Sequence, residues 1–462
     1  MDNKVVFNKE LIRRYDTFGP RYTSYPTAVQ FTTDYDDSDY LKWVKHSNED
    51  PIPAPLSLYL HIPFCDTICY YCGCSKLVTK DKSKADPYIQ LLKKEIRMQG
   101  ELFAKDREVT QIHWGGGTPT FLNDEQIYDI IACIRENFNV PSSDKVEFGI
   151  EVDPRTVDQQ RIKNLANIGF NRISFGVQDF DQDVQQAVNR VQITEDIKQR
   201  IEDARAQHFQ SINIDLMYGL PHQTLDSFSK TLDTTIESNP DRIAIYNYAH
   251  LPEMFKPQRR IKEEDLPSPE EKLNILQLCI EKLQDAGYVY IGMDHFAKES
   301  DDLVKAQQHG SLHRNFQGYS TNADCDMIAM GVTAISRIGD NYSQNVRTID
   351  EYKSYLDQDR IPVFRGIELE ADDVLRREII NDLMCNNNLD IKKLEKRWGI
   401  KFKAYFQSSL EGLQQMADDG LLNLEKTRLS ITETGRLLTR SICMQFDRYL
   451  QKKQNNRFSR VI

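Results

Sequence analysis

Four cysteines lie close together in the stretch YLHIPFCDTICYYCGC, which spans residues 59–74. They are Cys65, Cys69, Cys72 and Cys74, in a chain of 462 residues that contains nine cysteines. Thiolates are soft metal ligands and redox-active nucleophiles. A group this dense therefore predicts a metal centre or disulfide chemistry on one short loop.

Three kinds of site could use these thiols, whose spacing is Cys-x3-Cys-x2-Cys-x-Cys. A structural zinc site commonly takes its four ligands as two separated pairs, and no second pair lies near this loop. A dithiol redox site needs one Cys-x2-Cys pair and leaves two thiols without a role. An iron–sulfur cluster fits the short spacings better. If only three thiolates bind, one iron of a cubane stays open to another ligand.

The other cysteines and the composition limit the class of protein. Cys133, Cys279 and Cys443 lie in apolar, helical patterns and are expected to be small buried side chains. An odd cysteine count argues against a disulfide framework. The net charge of −11 argues against nucleic-acid or membrane-surface binding. Because the chain has neither an apolar run of roughly 18 residues nor an N-terminal signal core, we expect a soluble, cytoplasmic protein.

From residue 57 onward, apolar runs of strand length alternate with amphipathic helical patterns. This alternation predicts βαβ units and an α/β fold with a parallel sheet, closed into a barrel or open. Ser268 and Pro269 mark the start of one of the helices and Gly287 its end. Polar, small or reactive residues follow the apolar runs, at the strand ends where such folds bind ligands. They are the four cysteines, the GGGT stretch at 115–118, Glu151, Gln178, Asp215, Ala249 and His250.

Changes of pattern divide the chain into three parts. Residues 1–50 are polar and aromatic and are expected to form an extension that contacts the active site. Residues 51–364 are expected to form the α/β domain with its substrate-side loops. Residues 365–462 are expected to form a mostly helical domain with a small wing-like hairpin and a basic tail. We expect packing rather than DNA reading here, because charge without a docked element is weak evidence.

The cysteine loop, directly after the first predicted strand, resembles that of the radical S-adenosylmethionine (SAM) superfamily, whose core is a partial parallel (β/α) barrel. The resemblance implies that Cys65, Cys69 and Cys72 hold a 4Fe-4S cluster and that SAM binds the fourth iron. An electron from such a cluster splits SAM and gives a 5′-deoxyadenosyl radical that abstracts hydrogen. The aromatic Tyr71 before the third ligand matches as well. The WGGGTPT stretch is similar to the superfamily's glycine run, which contacts the methionyl amino group.

Longer motifs are similar to one family, the oxygen-independent coproporphyrinogen III oxidases. The matching stretches run from Tyr15 to about Ser336, and the C-terminal helical unit is similar too. They are YDTFGPRYTSYPT, YLHIPFCDTICYYCGC, HWGGGTPTFL, IEVDPRT, SFGVQDFD, NIDLMYGLP, YNYAHLP, LHRNFQGYST and GVTAIS. The resemblance implies an oxidoreductase of heme biosynthesis that works without oxygen. It would convert two propionate side chains of coproporphyrinogen III to vinyl groups and give protoporphyrinogen IX.

The resemblance also implies roles for individual residues. Tyr59, Gly116, Glu151 and Ile335 match positions that line the cluster-bound SAM. The family is associated with a second SAM molecule, and seven residues match its site: Tyr71, Gly117, Thr118, Gln178, Arg190, Asp215 and Ala249. The candidate catalytic residues are Tyr59, Glu151, Cys74, Phe316 and Gln317, of which Cys74 matches a family cysteine that does not bind the cluster.

The substrate carries four carboxylates, so an acidic protein must bring cations to its binding site. Arg21 in GPRYTSYP and Arg314 in LHRNF are the candidates, because arginine binds carboxylates in bidentate fashion. The electron donor and acceptor are expected to be external, and the family suggests a monomer.

Two other functions are compatible with parts of this pattern. A related heme chaperone keeps the three-cysteine loop but usually lacks the fourth cysteine, the GPRYTSYPT segment and the RNFQGY loop, all of which are present here. A radical enzyme that acts on RNA would need a basic, aromatic binding stripe. The oxidase is therefore favoured.

Overall fold

The computed structural model describes residues 4–142, 145–322 and 325–450. The strands are β1 (Leu56–Ile62), β2 (Phe64–Cys65), β3 (Leu77–Val78), β4 (Val109–Gly116), β5 (Glu147–Val152), β6 (Arg172–Gln178), β7 (Ser211–Tyr218), β8 (Arg242–Asn247), β9 (Tyr288–Gly292), β10 (His295–Lys298), β11 (His313–Asn315), β12 (Gly318–Ser320), β13 (Asp326–Met330), β14 (Ile335–Arg337), β15 (Asn341–Asn345), β16 (Val363–Glu368), β17 (Asn388–Asp390), β18 (Leu422–Leu424) and β19 (Arg428–Ile431).

The α-helices cover the sheet and build the C-terminal part. They are α1 (Lys9–Tyr15), α2 (Asp37–Asn48), α3 (Ala85–Leu102), α4 (Asp124–Asn137), α5 (Gln159–Ile168), α6 (Gln182–Ala187), α7 (Thr194–Ala206), α8 (Leu225–Glu237), α9 (Pro269–Asp285), α10 (Asp302–Gln308), α11 (Ile349–Asp357), α12 (Ala371–Asn386), α13 (Ile391–Trp398), α14 (Phe402–Tyr405), α15 (Gln407–Asp418) and α16 (Thr439–Met444). Among the described residues, no helix is both long and apolar enough to cross a membrane.

A twelve-stranded sheet forms the centre of the fold, in the order β16-β15-β14-β13-β1-β4-β5-β6-β7-β8-β10-β9. Strands β13, β1 and β4 to β8 pair in parallel, and the strands at both edges pair antiparallel. The central strands are buried on both faces, as the apolar runs predict. The two end strands, β16 and β9, do not pair with each other, and Thr32 adds a single bridge to Gly366 of β16. This open order is the arrangement of a partial barrel and confirms the predicted fold class.

Local sequence signals set several helix boundaries. The Ser268 hydroxyl accepts a hydrogen bond from the backbone N–H of Glu271 at 3.1 Å, and Pro269 opens α9. Gly287 follows the end of α9 with φ of +86°, a conformation that glycine adopts without strain. The cap, first turn and stop predicted for this helix are confirmed.

The C-terminal unit differs in detail from the expected helices and hairpin. Its small sheet has three strands in the order β17-β19-β18, because residues after α12 add β17 to the hairpin. The last expected helix is short, with a 3-10 turn at Gly435–Leu438 before α16. A side chain at position 435 would lie 1.8 Å from the Leu421 carbonyl, so this turn packs directly on the backbone. The basic tail beyond residue 450 lies outside the described residues.

Two apolar cores hold these parts together. The larger core lies between the sheet and its helices, and Tyr40 and Val44 of the N-terminal segment belong to it. The second core joins the C-terminal helices to β9, the hairpin β11–β12 and Tyr22 and Tyr25. The N-terminal segment thus contributes to both cores. Strand β16 continues the main sheet past residue 364, and the three-part division of the chain stays a prediction.

Glu95 of α3 is a buried carboxylate at the centre of a hydrogen-bond network. It accepts hydrogen bonds from the Gly331 backbone N–H at 2.7 Å, from the Asn345 amide at 2.8 Å and from the Tyr352 hydroxyl. Burial raises the pKa of Glu95 to about 7. These contacts fix the loop that leads into β14, where the candidate residue Ile335 lies.

We expect Glu95→Gln to remove a pH-dependent part of the stability. The pKa of Glu95 is higher in the folded chain than its ordinary value of 4.5, so the folded chain holds the proton more tightly. This contribution to stability is complete below the ordinary value and is lost as the pH rises through about 7. Between about pH 5 and about pH 7.5 the unfolding free energy of the wild type should fall by roughly 2–3 kcal/mol more than that of the variant.

Denaturant unfolding of cluster-free protein at both pH values measures this difference. Asp129→Asn is a suitable control, because Asp129 is half exposed in its ion pair with Lys93. If the unfolding free energies of the wild type and Glu95→Gln depended equally on pH, the raised pKa of Glu95 would be wrong.

Candidate active site

The cysteine loop begins at the end of β2 and returns to pair with it. Cys65 pairs with Val78 in the short parallel ladder of β2 and β3. On its other side, the Thr118 backbone N–H donates to the Phe64 carbonyl at 2.8 Å, and the Thr118 hydroxyl lies 3.5 Å from Cys65 Sγ. A Cβ atom at Gly117 would lie 2.7 Å from the Phe64 carbonyl and 3.1 Å from Cys65 Sγ. The glycine run therefore lies directly against the first thiol.

Two arginines place positive charge beside Cys69. Arg190 Nη1 lies 3.4 Å from Cys69 Sγ and Arg155 Nη2 lies 3.9 Å from it. Asp153 accepts from Arg190 at 3.0 Å and holds both guanidinium groups in place. Buried positive charge thus lies directly beside one of the three candidate ligands.

The three candidate ligands lie in one electrostatic environment. Burial and, to a smaller extent, the charges of Cys72 and Cys69 raise the pKa of the Cys65 thiol to about 11, although its hydrogen bond with Thr118 acts in the opposite direction. Cys72 and Cys74 share a hydrogen bond, which lowers the pKa of the Cys72 thiol and raises that of Cys74. Lys76 Nζ donates to the carbonyls of Cys72 and Cys74 at 3.1 and 3.4 Å and closes the loop.

The donor set fits an iron–sulfur cluster. In a cubane each thiolate binds a different iron, so the sulfur atoms must surround a volume rather than meet at a point. Among the described residues, no group of three His, Cys, Asp or Glu side chains converges closely enough for one metal ion. Three cysteine thiols on one short loop are the soft donor set that an iron–sulfur cluster takes.

Glu151 and two aromatic residues lie beside the glycine run. His113 Nε2 lies 3.3 Å from Glu151 Oε1, and the His113 ring stacks on Tyr59 with centroids 6.1 Å apart. A Cβ atom at Gly115 would lie 2.9 Å from the Glu151 carboxylate. The glycine at 115 therefore lets this half-exposed carboxylate approach the backbone at the end of β4.

The orientation of Tyr59 depends on His61. The Tyr59 hydroxyl lies 3.3 Å from His61 Nδ1, and His61 Nε2 lies 3.2 Å from the Ser75 carbonyl. A carbonyl can only accept, so Nε2 carries the proton and Nδ1 accepts from Tyr59. Burial lowers the pKa of His61 and keeps the ring neutral. Tyr59 is thereby connected to the loop that carries Cys74.

The residues expected at a second SAM site lie on the cysteine loop, within or just after β4, β6, β7 and β8, and in the segment after α6 that contains Arg190. Tyr71 is buried, and Gln258 donates to its carbonyl at 2.9 Å. Gln178 ends β6 with φ of +73°, and its Oε1 atom has no hydrogen-bond partner in the described part of the chain. Asp215 accepts from Ser174 at 2.9 Å and Asn213 at 2.8 Å, and burial raises its pKa to about 6. Ala249 is half-buried just after β8.

The parallel strands curve around a cavity with about 820 Å³ of space, its open mouth included. Side chains from β4 to β8, β10 and β12 line it, which shows that the concave face of the sheet is the inside of the partial barrel. Glu151, Asp215 and Gln317 are the predicted site residues that face this cavity. Gln317 Oε1 is buried and has no hydrogen-bond partner among the described residues.

Phe316 and Ile335 lie apart from the cysteine loop. Both pack against a small apolar cluster that contains Phe31 and Tyr342. Phe316 also lines a second cavity together with Arg314, with about 350 Å³ of space, its open mouth included. The structure thus brings these two candidates together with the N-terminal segment.

The two candidate arginines are close to each other and are not surface charges. Arg314 is 8% exposed, and the positive charge of Arg314 contributes to lowering the pKa of Arg21, after burial. Arg21 forms an ion pair with Asp294. Both guanidinium groups act on Tyr246 and His295, which line the large cavity.

Sequence reasoning did not single out His113, Tyr246 or His295 as cavity residues. Gln111 and His113 alternate along β4, so their spacing of two residues could have placed them on one face. Arg242 and Tyr246 lie on one face of β8 by the same alternation, whereas the position of His295 depends on the antiparallel pairing of β10 with β8.

Comparison with known proteins agrees with this geometry. The family model of the radical SAM superfamily matches residues 59–235, and that of the HemN C-terminal domain matches residues 369–438. The oxygen-independent coproporphyrinogen III oxidase of Pseudomonas aeruginosa is 48% identical over 462 residues, 100% of both chains. The same enzyme of Escherichia coli K12 is 49% identical over 460 residues, 99% of both chains.

A solved structure extends the likeness to the fold. The E. coli coproporphyrinogen III oxidase, described as a radical SAM enzyme, has 47% sequence identity and a TM-score of 0.92. The alignment covers 97% of this chain and 100% of that one. The chain therefore belongs to the oxygen-independent coproporphyrinogen III oxidase family of radical SAM enzymes.

Proposed function

We propose that this chain converts two propionate side chains of coproporphyrinogen III to vinyl groups, and so produces protoporphyrinogen IX. The observation that carries the proposal is likeness over the full length of oxidases of this name. Glu151, which lies beside the glycine run, also lines the large cavity. The cluster and SAM, when bound, supply a one-electron cleavage that yields a hydrogen-abstracting radical. Loss of a β-hydrogen atom, carbon dioxide and one electron then leaves a vinyl group.

We assign the cluster to Cys65, Cys69 and Cys72. The Arg190 and Arg155 guanidinium groups lie beside Cys69, and the Gly117 and Thr118 backbone fixes Cys65. Cys65 and Cys69 are buried and Cys72 is partly exposed, so water has limited access to these sulfur atoms, as a reactive radical requires.

We assign the binding of SAM to the residues around the glycine run. The Glu151 carboxylate can accept hydrogen bonds from an ammonium group or ribose hydroxyls. His113, which stacks on Tyr59, contacts Glu151 beside Gly115. Gln178, Arg190, Asp215 and Ala249, with Tyr71, Gly117 and Thr118, are proposed for a second SAM. Ile335 is proposed for the first SAM site on the family resemblance alone, and it follows the loop that Glu95 fixes.

The remaining assignments concern the substrate and the environment of the enzyme. Phe316, Gln317 and Cys74 are proposed at the substrate side, and Arg21 and Arg314 for its carboxylates. An external donor supplies the electron for the cluster, and an external acceptor takes the electron that the substrate releases. We propose a cytoplasmic monomer.

Strictly anaerobic turnover tests the function. Reconstituted protein with SAM and reductant should convert coproporphyrinogen III, with two carbon dioxide molecules released per protoporphyrinogen IX and with methionine and 5′-deoxyadenosine formed. Mass spectrometry of the tetrapyrroles measures the conversion. Tight binding of heme without any conversion would support the heme-chaperone alternative instead.

Cys69→Ala should abolish cluster assembly and turnover, since it removes one of three thiolate ligands. Iron content and the visible absorbance of the anaerobically reconstituted protein measure the cluster. Cys133→Ala is the matched control, because Cys133 is a buried cysteine of α4 outside the loop and should leave both unchanged. A full cluster in Cys69→Ala would refute the ligand assignment.

Glu151→Gln should raise the KM for SAM by about tenfold, because a neutral amide forms weaker hydrogen bonds with an ammonium group or hydroxyls than a carboxylate does. The iron content should not change. Steady-state kinetics with varied SAM give the result, and the exposed Glu237 provides the control variant Glu237→Gln. An unchanged KM in Glu151→Gln would remove Glu151 from the SAM site.

A further inference from the structure

Three distant parts of the chain meet beside the cavity wall formed by Tyr246, His295 and Tyr319. They are the N-terminal segment around Arg21, the hairpin β11–β12 with Arg314, and the C-terminal turn and helix that carry Arg440. Each part contributes a buried or half-buried guanidinium group. This concentration of positive charge contrasts with the net charge of −11 of the whole chain.

Arg314 is the most unusual member of the group. It is 8% exposed and its guanidinium lies over the Tyr319 ring at 4.7 Å. Its Nε and Nη1 atoms are buried, and no residue in the described part of the chain accepts a hydrogen bond from them. A buried guanidinium with unused donors is costly unless an anion binds to it.

Arg21 adds a second positive charge that its neighbours only partly neutralise. Asp294 is its ion-pair partner, but burial and the repulsion of Arg314 lower the pKa of Arg21. Burial and the charge of Arg21 likewise lower the pKa of Arg440 to about 9. The local charge therefore favours an added carboxylate.

Arg440 lies behind Arg21 and holds the backbone of the N-terminal segment. Its Nε atom donates to the Pro20 carbonyl at 3.0 Å, and its Nη2 atom donates to the Gly19 carbonyl. The next residue is Arg21, so this contact sets where the Arg21 guanidinium lies.

The chemistry of decarboxylation indicates which substrate carboxylates Arg21 and Arg314 could bind without slowing the reaction. A propionate that reacts loses its charge as carbon dioxide leaves, so a strong ion pair would stabilise its ground state more than its transition state. A propionate that is not converted keeps its charge throughout. An arginine pair therefore assists the reaction only when it binds carboxylates that stay.

We propose that Arg21 and Arg314 anchor the two propionates that the reaction leaves intact, with Arg440 as a positioning residue for Arg21. The anchor rests on the proposed function and deepens it, because it would decide which of the four propionates lie near the cysteine loop. It also makes the C-terminal unit part of the substrate site.

Binding of a reduced tetrapyrrole with only the two unconverted propionates tests the anchor. Anaerobic equilibrium dialysis with the cluster-reconstituted full chain compares this dicarboxylate with its dimethyl ester. Arg314→Gln should weaken binding of the dicarboxylate at least about tenfold and leave binding of the ester unchanged. The affinity of Arg314→Lys for the dicarboxylate should lie between those of the wild type and Arg314→Gln, because lysine keeps the charge but cannot form the bidentate contact.

Arg259→Gln is the matched control, since Arg259 is an exposed arginine on a different segment, and it should bind both compounds as the wild type does. Equal losses for the acid and the ester would show that Arg314 only supports the fold. No binding of the dicarboxylate by the wild type, or no effect of Arg314→Gln, would also overturn the anchor.

A double-mutant cycle tests the positioning role of Arg440. Arg440→Gln should weaken binding of the dicarboxylate in the wild-type background and have no added effect in an Arg21→Gln background. Additive losses would contradict a role through Arg21. Circular dichroism and iron content show whether each variant is folded, and the Arg314→Gln result decides the anchor if Arg440→Gln does not fold.

These outcomes separate the anchor from the enzyme activity. Arginine-dependent binding of the dicarboxylate without any turnover of coproporphyrinogen III would retain the anchor and reject the proposed oxidase. Full turnover of coproporphyrinogen III, together with unchanged binding of the dicarboxylate by Arg314→Gln, would retain the oxidase and reject the anchor.

Discussion

The pairing of β4 with β1 is the constraint on which the site depends. Its register places Gly116 opposite Ile62, and the Gly117 and Thr118 backbone N–H groups continue the ladder to the Ile62 and Phe64 carbonyls. The first cysteine therefore lies against a stretch of backbone that only glycine allows, since a side chain at 117 would collide with it. Because parallel strands end at one edge, the next strands add Glu151 and Asp215 to the same cavity.

Much of this arrangement could be predicted from the sequence because its signals are local. The four cysteines, the glycine run and the polar residues after each apolar run are all visible within short windows, and the fold class follows from their alternation. The α9 boundaries follow from Ser268 and Gly287 for the same reason. The assignment of an iron–sulfur cluster to the cysteines depends on the family resemblance and on the chemistry of thiolates. Periodicity alone does not identify what the cysteines bind.

The rest could not be predicted because it depends on contacts between distant segments. Nothing in the stretch LHRNF distinguishes Arg314 from an exposed surface charge. Only the packing of the hairpin against the second core shows that Arg314 is buried. The contact between Arg440 and Gly19 joins residues separated by 421 positions. The third strand of the C-terminal sheet has the same origin, since Asn388–Asp390 forms a strand only by pairing with β19.

An open sheet explains why such distant segments meet at the site. A partial barrel has two free edges and a wide mouth, and the cavity inside must still be shielded from water for radical chemistry. The hairpin β11–β12, the N-terminal tyrosines and the C-terminal helices share one apolar core beside that mouth. Burying them there also buries their arginines, and the desolvation cost is recovered only when an anionic ligand arrives. The elements that cover the cavity thus carry the charge that selects what enters it.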